Sequence, residues 1–270
     1  MPTVSVIIPT CNRVDSLKQA VDSALNQTYR DFEIVVVNDG STDRTSEYLS
    51  ALNNPLLRYC EFAENRGGSS ARNEGINKAR GSLVAFLDDD DCWEPSKLEE
   101  QVNAMNRENA DLCYTGVFKR TFRGKIKRYI FMVPRFADLY KSIMANNFLG
   151  GTSSIIVKKE LLEKIRGFDP LLPAMQDWDL FIRLLKNGCK IYGIDKPLVQ
   201  YQVVDISRNI SGSFHRYKTA EKYIRYKYRD SEFFPLLNRR MIFTEVTRHM
   251  KSFFFLLDSI KYYSGHLFKR

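Results

Sequence analysis

Four consecutive carboxylates, Asp88 to Asp91, follow the apolar run Leu83 to Leu87 in the stretch LVAFLDDDDCWEP. Like charges at this spacing repel, and each is costly to crowd against a buried strand unless a cation or solvent neutralises it. A bound metal ion would satisfy the cluster; a plain acidic turn is the competing reading. A second pair, Asp177 and Asp179, opens the segment QDWDLFIRLLKNG. Carboxylates are favoured there by the helix dipole, and capping alone could explain one of them.

The elements that must carry these groups are legible as two alternating periods. Val4 to Ile8 is a short apolar run ending at Pro9, as a buried parallel strand would. Leu17, Val21, Ala24 and Leu25 then recur at helical spacing behind a candidate N-cap at Asp15. Phe32 to Val37 is a second strand closed by the turn signal NDGSTD. Helix over Thr45 to Leu52, strand over Leu57 to Phe62, helix over Ser69 to Ala79 and strand over Leu83 to Leu87 follow. This alternation predicts βαβ units and a parallel sheet covered on both faces. Ligands of such sheets bind beyond the C-terminal strand ends. Three polar clusters fall at such ends: Pro9 to Arg13, Asn38 to Gly40, and the acidic run. Their convergence weakens the acidic-turn reading.

The middle of the chain is less regular. FKRTFRGKIKRYIFMV reads as a basic hairpin about Gly124-Lys125, and FLGGTSSIIV as a glycine loop feeding a strand. A helix follows with Leu180, Phe181, Leu184 and Leu185 on one face, closed by Gly188.

Composition excludes several function classes. The five cysteines contain no CxxC pair, which argues against a zinc site or a disulfide framework. The three histidines, His215, His249 and His266, all lie near the C-terminus, away from the acidic motifs, so a histidine-centred site is not expected. No run approaches the ~20 apolar residues that span a bilayer, and MPTVSVIIPT lacks the basic start of a signal peptide. A cytoplasmic protein is expected. The net charge of +9 is uneven: residues 1–211 carry 28 Lys/Arg against 27 Asp/Glu, residues 212–270 carry 13 against 5. The latter segment also holds 14 of the 34 aromatic residues.

The ordered stretches VSVIIPTCNR, FEIVVVNDGSTDRT, ENRGGSSARNEGINKARG, FLDDDDCWEP and MQDWDLFIRL together resemble family 2 glycosyltransferases of the GT-A fold, over roughly residues 3–200. The resemblance implies an α/β, Rossmann-like, mostly parallel central sheet flanked by helices, with a C-terminal helical extension. It implies a catalytic domain over 1–211, divided near residue 95 into nucleotide-binding and acceptor halves, followed by a basic aromatic segment over 212–270. The family's DxD falls on Asp88 and Asp90: Asp90 would contact a divalent cation, Mn²⁺ or Mg²⁺, with Asp88 beside it. Asp88 and Asp89 would serve the ribose hydroxyls or the metal's water shell, and Trp93 would pack in the core. Hard oxygen ligands of this kind suit either ion, which keeps several waters.

By the same resemblance Asp39 accepts an N–H of a uracil or thymine base, Pro9 and Thr10 line the nucleotide, and Asn65 and Arg72 complete the pocket. Cys11 stands where relatives often carry Tyr, and a thiol offers no aromatic face to stack on the base. Asp177 matches the catalytic base of an inverting displacement, taking the acceptor hydroxyl's proton. Gln176 replaces the common Glu before it, and it can hydrogen-bond but not ionise. Gly150 and Gly151 would permit close backbone approach to the sugars, or form a plain turn. Arg208 is assigned nothing beyond a phosphate contact.

The implied activity is transfer from a UDP-sugar to a hydroxyl of a lipid-linked saccharide in surface polysaccharide synthesis. The tail supplies a membrane contact: Ile242, Val246, Met250, Phe253, Phe254 and Leu257 follow helical spacing among basic residues, which suits an anionic surface at the inner membrane face. Packing on the catalytic domain is the alternative for these helices. A nucleotidyltransferase would also use acids and a metal, but it wants a glycine-rich basic phosphate loop, which PTCNR is not. A basic nucleic-acid-binding protein is the non-enzyme alternative, and the aromatic, basic tail is compatible with it. Four clustered carboxylates would repel phosphate, however, so nucleic acid is not an expected partner.

Overall fold

The computed structural model describes residues 1–120, 127–201 and 214–242. Its first half alternates as expected: β1 (Val4–Thr10), α1 (Val14–Leu25), β2 (Phe32–Asn38), α2 (Thr45–Ala51), β3 (Leu57–Glu61), α3 (Gly68–Lys78) and β4 (Leu83–Phe86). Every residue of β1 and β2 is buried, as in largely apolar strands covered by helices on both faces, and the polar pair Ser5 and Glu33 is joined by a 2.7 Å hydrogen bond. Strands β3, β2, β1 and β4 pair in parallel. Asp15 does not cap α1. The helix begins at Val14, whose N–H is accepted by Asp43 Oδ2 at 3.1 Å, and Asp15 sits in the first turn. Strand β1 also runs through Pro9 to Thr10. Its register with β4 ends at Ile7, so Pro9 lies where β1 is paired with β2 alone, a setting that tolerates a residue without an N–H.

The second half contributes β5 (Asp91–Trp93), α4 (Lys97–Glu108), β6 (Leu112–Arg120), β7 (Lys127–Ile130), α5 (Leu139–Ala145), a 3₁₀ turn over Thr152–Ser154, β8 (Ile155–Lys158), α6 (Lys159–Lys164), α7 (Gln176–Lys186) and β9 (Ile191–Tyr201). Here the sheet turns mixed: β8 is antiparallel to both β4 and β6, β5 is antiparallel to β9, and β6 is parallel to β9. Among the described residues the strand order is β3-β2-β1-β4-β8-β6-β9-β5, with β7 paired to β6. The basic hairpin is therefore β6–β7; its turn lies outside the described residues.

The C-terminal segment enters the same core. Helix α8 (Phe214–Lys227) buries Ala220 and Ile224, and Tyr228, Leu237 and Met241 join them against α5 and α7 residues such as Ile143, Phe181 and Leu184. Residues 234–242 are helical as well. Of the amphipathic helix expected from Met241 to Leu257, only its first two residues fall within the described region, with Met241 buried and Ile242 exposed. Among the described residues no helix is long and apolar enough to cross a membrane.

Candidate active site

The strand ends deliver their polar residues into one cleft of about 1720 Å³. Pro9, Thr10, Asp39, Asn65, Arg72, Asp88, Asp89, Asp90 and Asp177 all line it, although they span most of the chain.

Side chains from several elements hold the acidic run, and two of them serve more than one of its residues. Thr10 Oγ1 donates to Asp89 Oδ2 at 2.8 Å, and Arg13 Nη1 donates to Asp89 Oδ1 at 3.0 Å and Asp90 Oδ2 at 2.9 Å. Arg72 Nη2 lies 2.5 Å from Asp88 Oδ1, and Thr152 Oγ1 reaches the same oxygen at 3.4 Å. Asp91 turns away into the fold, where Ser153 Oγ donates to it at 2.6 Å. The same hydroxyl accepts the Asp88 backbone N–H at 3.0 Å, so Ser153 pins both ends of the run. Trp93 is a core residue, 4% exposed, with its indole N–H donated to the Ser153 carbonyl.

Burial pushes the Asp89 carboxyl up to about 6 against the pull of Arg13, with Asp90 adding repulsion. Asp90 is raised too, by burial and then by Asp88. Burial works against the Arg13 charge, but Asp89 and Asp90 outweigh it. Two arginines therefore leave the run short of full compensation. That is the electrostatic condition a further cation would relieve, and the donor set is hard oxygen, which fits Mg²⁺ or Mn²⁺. No group of three or more His, Cys, Asp or Glu among the described residues is arranged to hold an ion alone. Asp88 and Asp90 supply hard-oxygen donors that fit such an ion.

At the end of β2, Asp39 is 3% exposed and its two oxygens accept the backbone N–H groups of Arg66 at 2.7 Å and Gly67 at 2.9 Å. It thereby shapes the loop that opens α3, while each oxygen keeps a lone pair free. Asn65 Nδ2 donates to the Asp39 carbonyl at 3.3 Å and to Cys11 Sγ at 3.1 Å. Gly40, at φ +65°, could carry no side chain: a Cβ would stand 2.5 Å from the Asn65 nitrogen.

At the opposite wall Asp177 lies in the first turn of α7, just after Met175, whose φ of +59° is strained for a residue with a side chain. Burial raises its carboxyl to about 6, with Arg72 pulling down and Asp88 pushing up. Gln176 Oε1 accepts from Arg72 Nη1 at 3.3 Å. Arg72 is thus no surface charge but the tie between the acidic run and α7. Asp179 is fully buried and pairs with Arg183 at 2.8 Å, Lys227 at 2.7 Å and the Tyr228 hydroxyl at 2.7 Å. It belongs to the junction with the C-terminal segment, and helix capping does not explain it.

Sequence reasoning assigned no role to Arg13, Asn147, Ser153 and Tyr201. Arg13 stood within a cluster already singled out; the others carry no spacing signal, because their partners lie on distant elements. Arg208 lies outside the described residues. From the C-terminal segment Arg216, Tyr217 and Arg240 also line the cleft.

The model of the family described as Glycosyl transferase family 2 matches residues 5–166. TuaG of Bacillus subtilis (strain 168), named for teichuronic acid biosynthesis, is 30% identical over 223 residues, covering 82% of this chain and 85% of its own length. WcaA of Escherichia coli (strain K12), named for colanic acid biosynthesis, is 27% identical over 256 residues, covering 89% and 90%. S. aureus TarS (residues 1–349, with UDP-GlcNAc) superposes with a TM-score of 0.72 at 21% identity, covering 89% of this chain and 72% of the other. The mannosyltransferase PcManGT of Pyrobaculum calidifontis, solved with GDP-Man and Mn²⁺, gives 0.64 at 21% identity, covering 89% and 68%. The shared architecture is the GT-A fold expected from the sequence.

Proposed function

The chain is a glycosyltransferase of family 2, and from that premise we propose that it moves a sugar with inversion from a UDP-sugar to a hydroxyl of a lipid-linked saccharide. The observation that carries this reading is the single cleft holding the acidic run on one wall and Asp177 on the other, bridged by Arg72. Asp177 accepts the acceptor hydroxyl's proton as that oxygen attacks the anomeric carbon and the bond to the nucleotide diphosphate breaks. A carboxyl raised to about 6 by burial is ionised at neutral pH yet more basic than a solvated one. Thr10, Arg13 and Arg72 hold the acidic run in place, and Asp39 and Asn65 shape the pocket for a uracil base. A divalent cation held by Asp90 and Asp88 would neutralise charge developing on the diphosphate; the likeness to a Mn²⁺-bound transferase supports it.

Surface polysaccharide synthesis is supported by the names of TuaG and WcaA. A lipid-linked acceptor and peripheral attachment at the inner membrane face are supported by the basic C-terminal segment, whose Arg216 and Arg240 line the cleft. We assign residues 1–211 to the catalytic unit, with the later helices completing its core. Hydrolysis of a panel of UDP-sugars and GDP-mannose, with and without Mn²⁺, tests the donor. Turnover of a UDP-sugar that needs the ion is expected; turnover only of GDP-mannose, or of every donor without metal, would refute the uracil and cation assignments respectively.

A further inference from the structure

One peptide unit in the glycine loop is held from both sides, and the chain of contacts ends on Asp177. The Gly151 N–H donates to the Tyr201 hydroxyl oxygen at 3.0 Å. The carbonyl of that same peptide, Gly150 O, accepts from Asn147 Nδ2 at 2.8 Å. The remaining hydrogen of that amide goes to Asp177 Oδ2 at 3.2 Å. Both glycines are required by this path. Gly150 turns its carbonyl at φ +80°, and a Cβ on Gly151 would meet the Tyr201 oxygen at 2.7 Å. The close approach permitted here is to Tyr201.

The Asn147 amide has one orientation. With two acceptors on the Nδ2 side, a flipped amide would set its oxygen against a carbonyl and a carboxylate. The orientation has a cost, because Asn147 Oδ1 is buried and has no partner among the described residues. Leaving such an oxygen unpaired costs about 1–3 kcal/mol. An amide that leaves its own oxygen unpaired while saturating its nitrogen is placed for the sake of what the nitrogen holds.

We propose that Asn147 is the positioning residue of the proton acceptor: it clamps Asp177 Oδ2, stabilises the ionised carboxylate and leaves Oδ1 to face the incoming hydroxyl. The proposal rests on Asp177 being the base. The other charged or titratable groups acting on that carboxyl are Arg72 from α3, Asp88 from the turn after β4, and Tyr201 from β9. Each is carried by a different element from Asn147, so a change at Asn147 leaves them in place.

The test reads the carboxyl directly and needs no substrate. Carboxyl ¹³C resonances of the full chain are titrated in wild type and in Asp177→Asn, and the resonance missing from the latter is Asp177. Losing one hydrogen bond to a charged group raises the midpoint by about one unit in Asn147→Ala. Asn147→Asp is isosteric and keeps the packing but replaces a donor with an acceptor, so its midpoint rises further. A packing role alone would lower the melting temperature and leave the midpoint where it was. Unchanged midpoints in both variants overturn the proposal. Turnover of the preferred nucleotide sugar by Asp177→Asn separates the two assignments. Full activity there refutes the base, whereas an inactive Asp177→Asn with unmoved midpoints refutes the role of Asn147.

Discussion

Arg72 joins Asp88 and Gln176 through one guanidinium, with Nη2 at 2.5 Å from the carboxylate and Nη1 at 3.3 Å from the amide oxygen. Only 12% of its side chain is exposed, so both contacts are made in a setting where charge is poorly screened. The acidic-run wall and the α7 wall of the cleft are therefore mechanically one unit. Arg72→Met should loosen both, lowering nucleotide affinity and turnover together. Loss of one partner from a buried ion pair costs about 3–5 kcal/mol, so a thermal melt several degrees lower should accompany the kinetic loss. A variant with normal affinity and reduced turnover would instead confine Arg72 to the Asp177 side.

Nucleotide binding should depend on the cation through Asp90. In calorimetry with UDP, Asp90→Asn should bind equally weakly with and without Mn²⁺, while wild type binds tighter with the ion. Equal affinity with and without metal in wild type would remove the metal assignment. Asp90 also pairs with Arg13 at 2.9 Å, so Arg13→Ala is the useful contrast. It should alter the placement of the run while leaving a metal dependence in place.

The two aspartates of α7 should separate cleanly. Asp177→Asn should lose transfer by a factor of ~10²–10⁴, the usual worth of a general base, with UDP affinity nearly intact. Asp179→Asn should fail in the opposite sense. Its carboxylate is buried among Arg183, Lys227 and Tyr228, and removing its charge takes the carboxylate from Arg183 and leaves Lys227 with Asp169 alone. Unfolding in urea at a clearly lower midpoint checks it. Near-normal turnover by Asp177→Asn would move the base elsewhere.

The pH dependence follows from burial at Asp177, which raises its carboxyl to about 6. A base must be ionised, so kcat/KM should fall as pH drops through about 6, well above the range where a solvated aspartate protonates. For stability the sign is reversed. A raised native pKa means that the folded state holds the proton more tightly, so this group favours folding at low pH and that contribution is lost as pH rises through 6. An acid limb near pH 4 would place the working carboxylate in water instead.

The parallel half of the sheet was readable because buried strands between helices are dominated by apolar residues, as in Val4 to Ile8 and Phe32 to Val37, where Ser5 and Glu33 are the exceptions. The mixed half was legible only in part: the glycine loop feeding β8 and the β6–β7 hairpin could be read, but β5, three residues long, is too short for any period to declare itself. Candidate site residues that stand at strand ends, such as Asp39 and the acidic run, could be picked out from turn chemistry and charge. Asn147 and Tyr201 could not, since their contacts join residues thirty and fifty positions apart. Asp179 could not be told apart from Asp177 by sequence, because its partners Lys227 and Tyr228 come from a segment whose charge and aromatic content pointed outward. The same composition serves an inward face in α8.

The C-terminal segment now divides into two parts with different expected behaviour. Residues 214–242 bury Ile224, Tyr228, Leu237 and Met241 against α5 and α7. Each such side chain contributes roughly 1.5–3 kcal/mol, and together they rival the ~5–15 kcal/mol stability of a whole domain. A chain ending at residue 211 should therefore aggregate, and its loss of membrane binding would carry no information. A chain ending at residue 242 keeps those contacts and should fold, with Ile242 already exposed at 46%. The residues it lacks include Val246, Met250, Phe253, Phe254 and Leu257, with Arg248 and Lys251 among them. Basic residues near an anionic surface contribute about 1 kcal/mol each and are weakened by salt, whereas inserted aromatic side chains are not. Full-length protein should sediment with anionic vesicles at low salt, in part at high salt, and weakly with neutral ones. The 1–242 chain should stay in solution throughout while retaining donor hydrolysis. If it sediments like the full-length protein, the attachment surface lies on the described domain, and residues 243–270 are not the anchor.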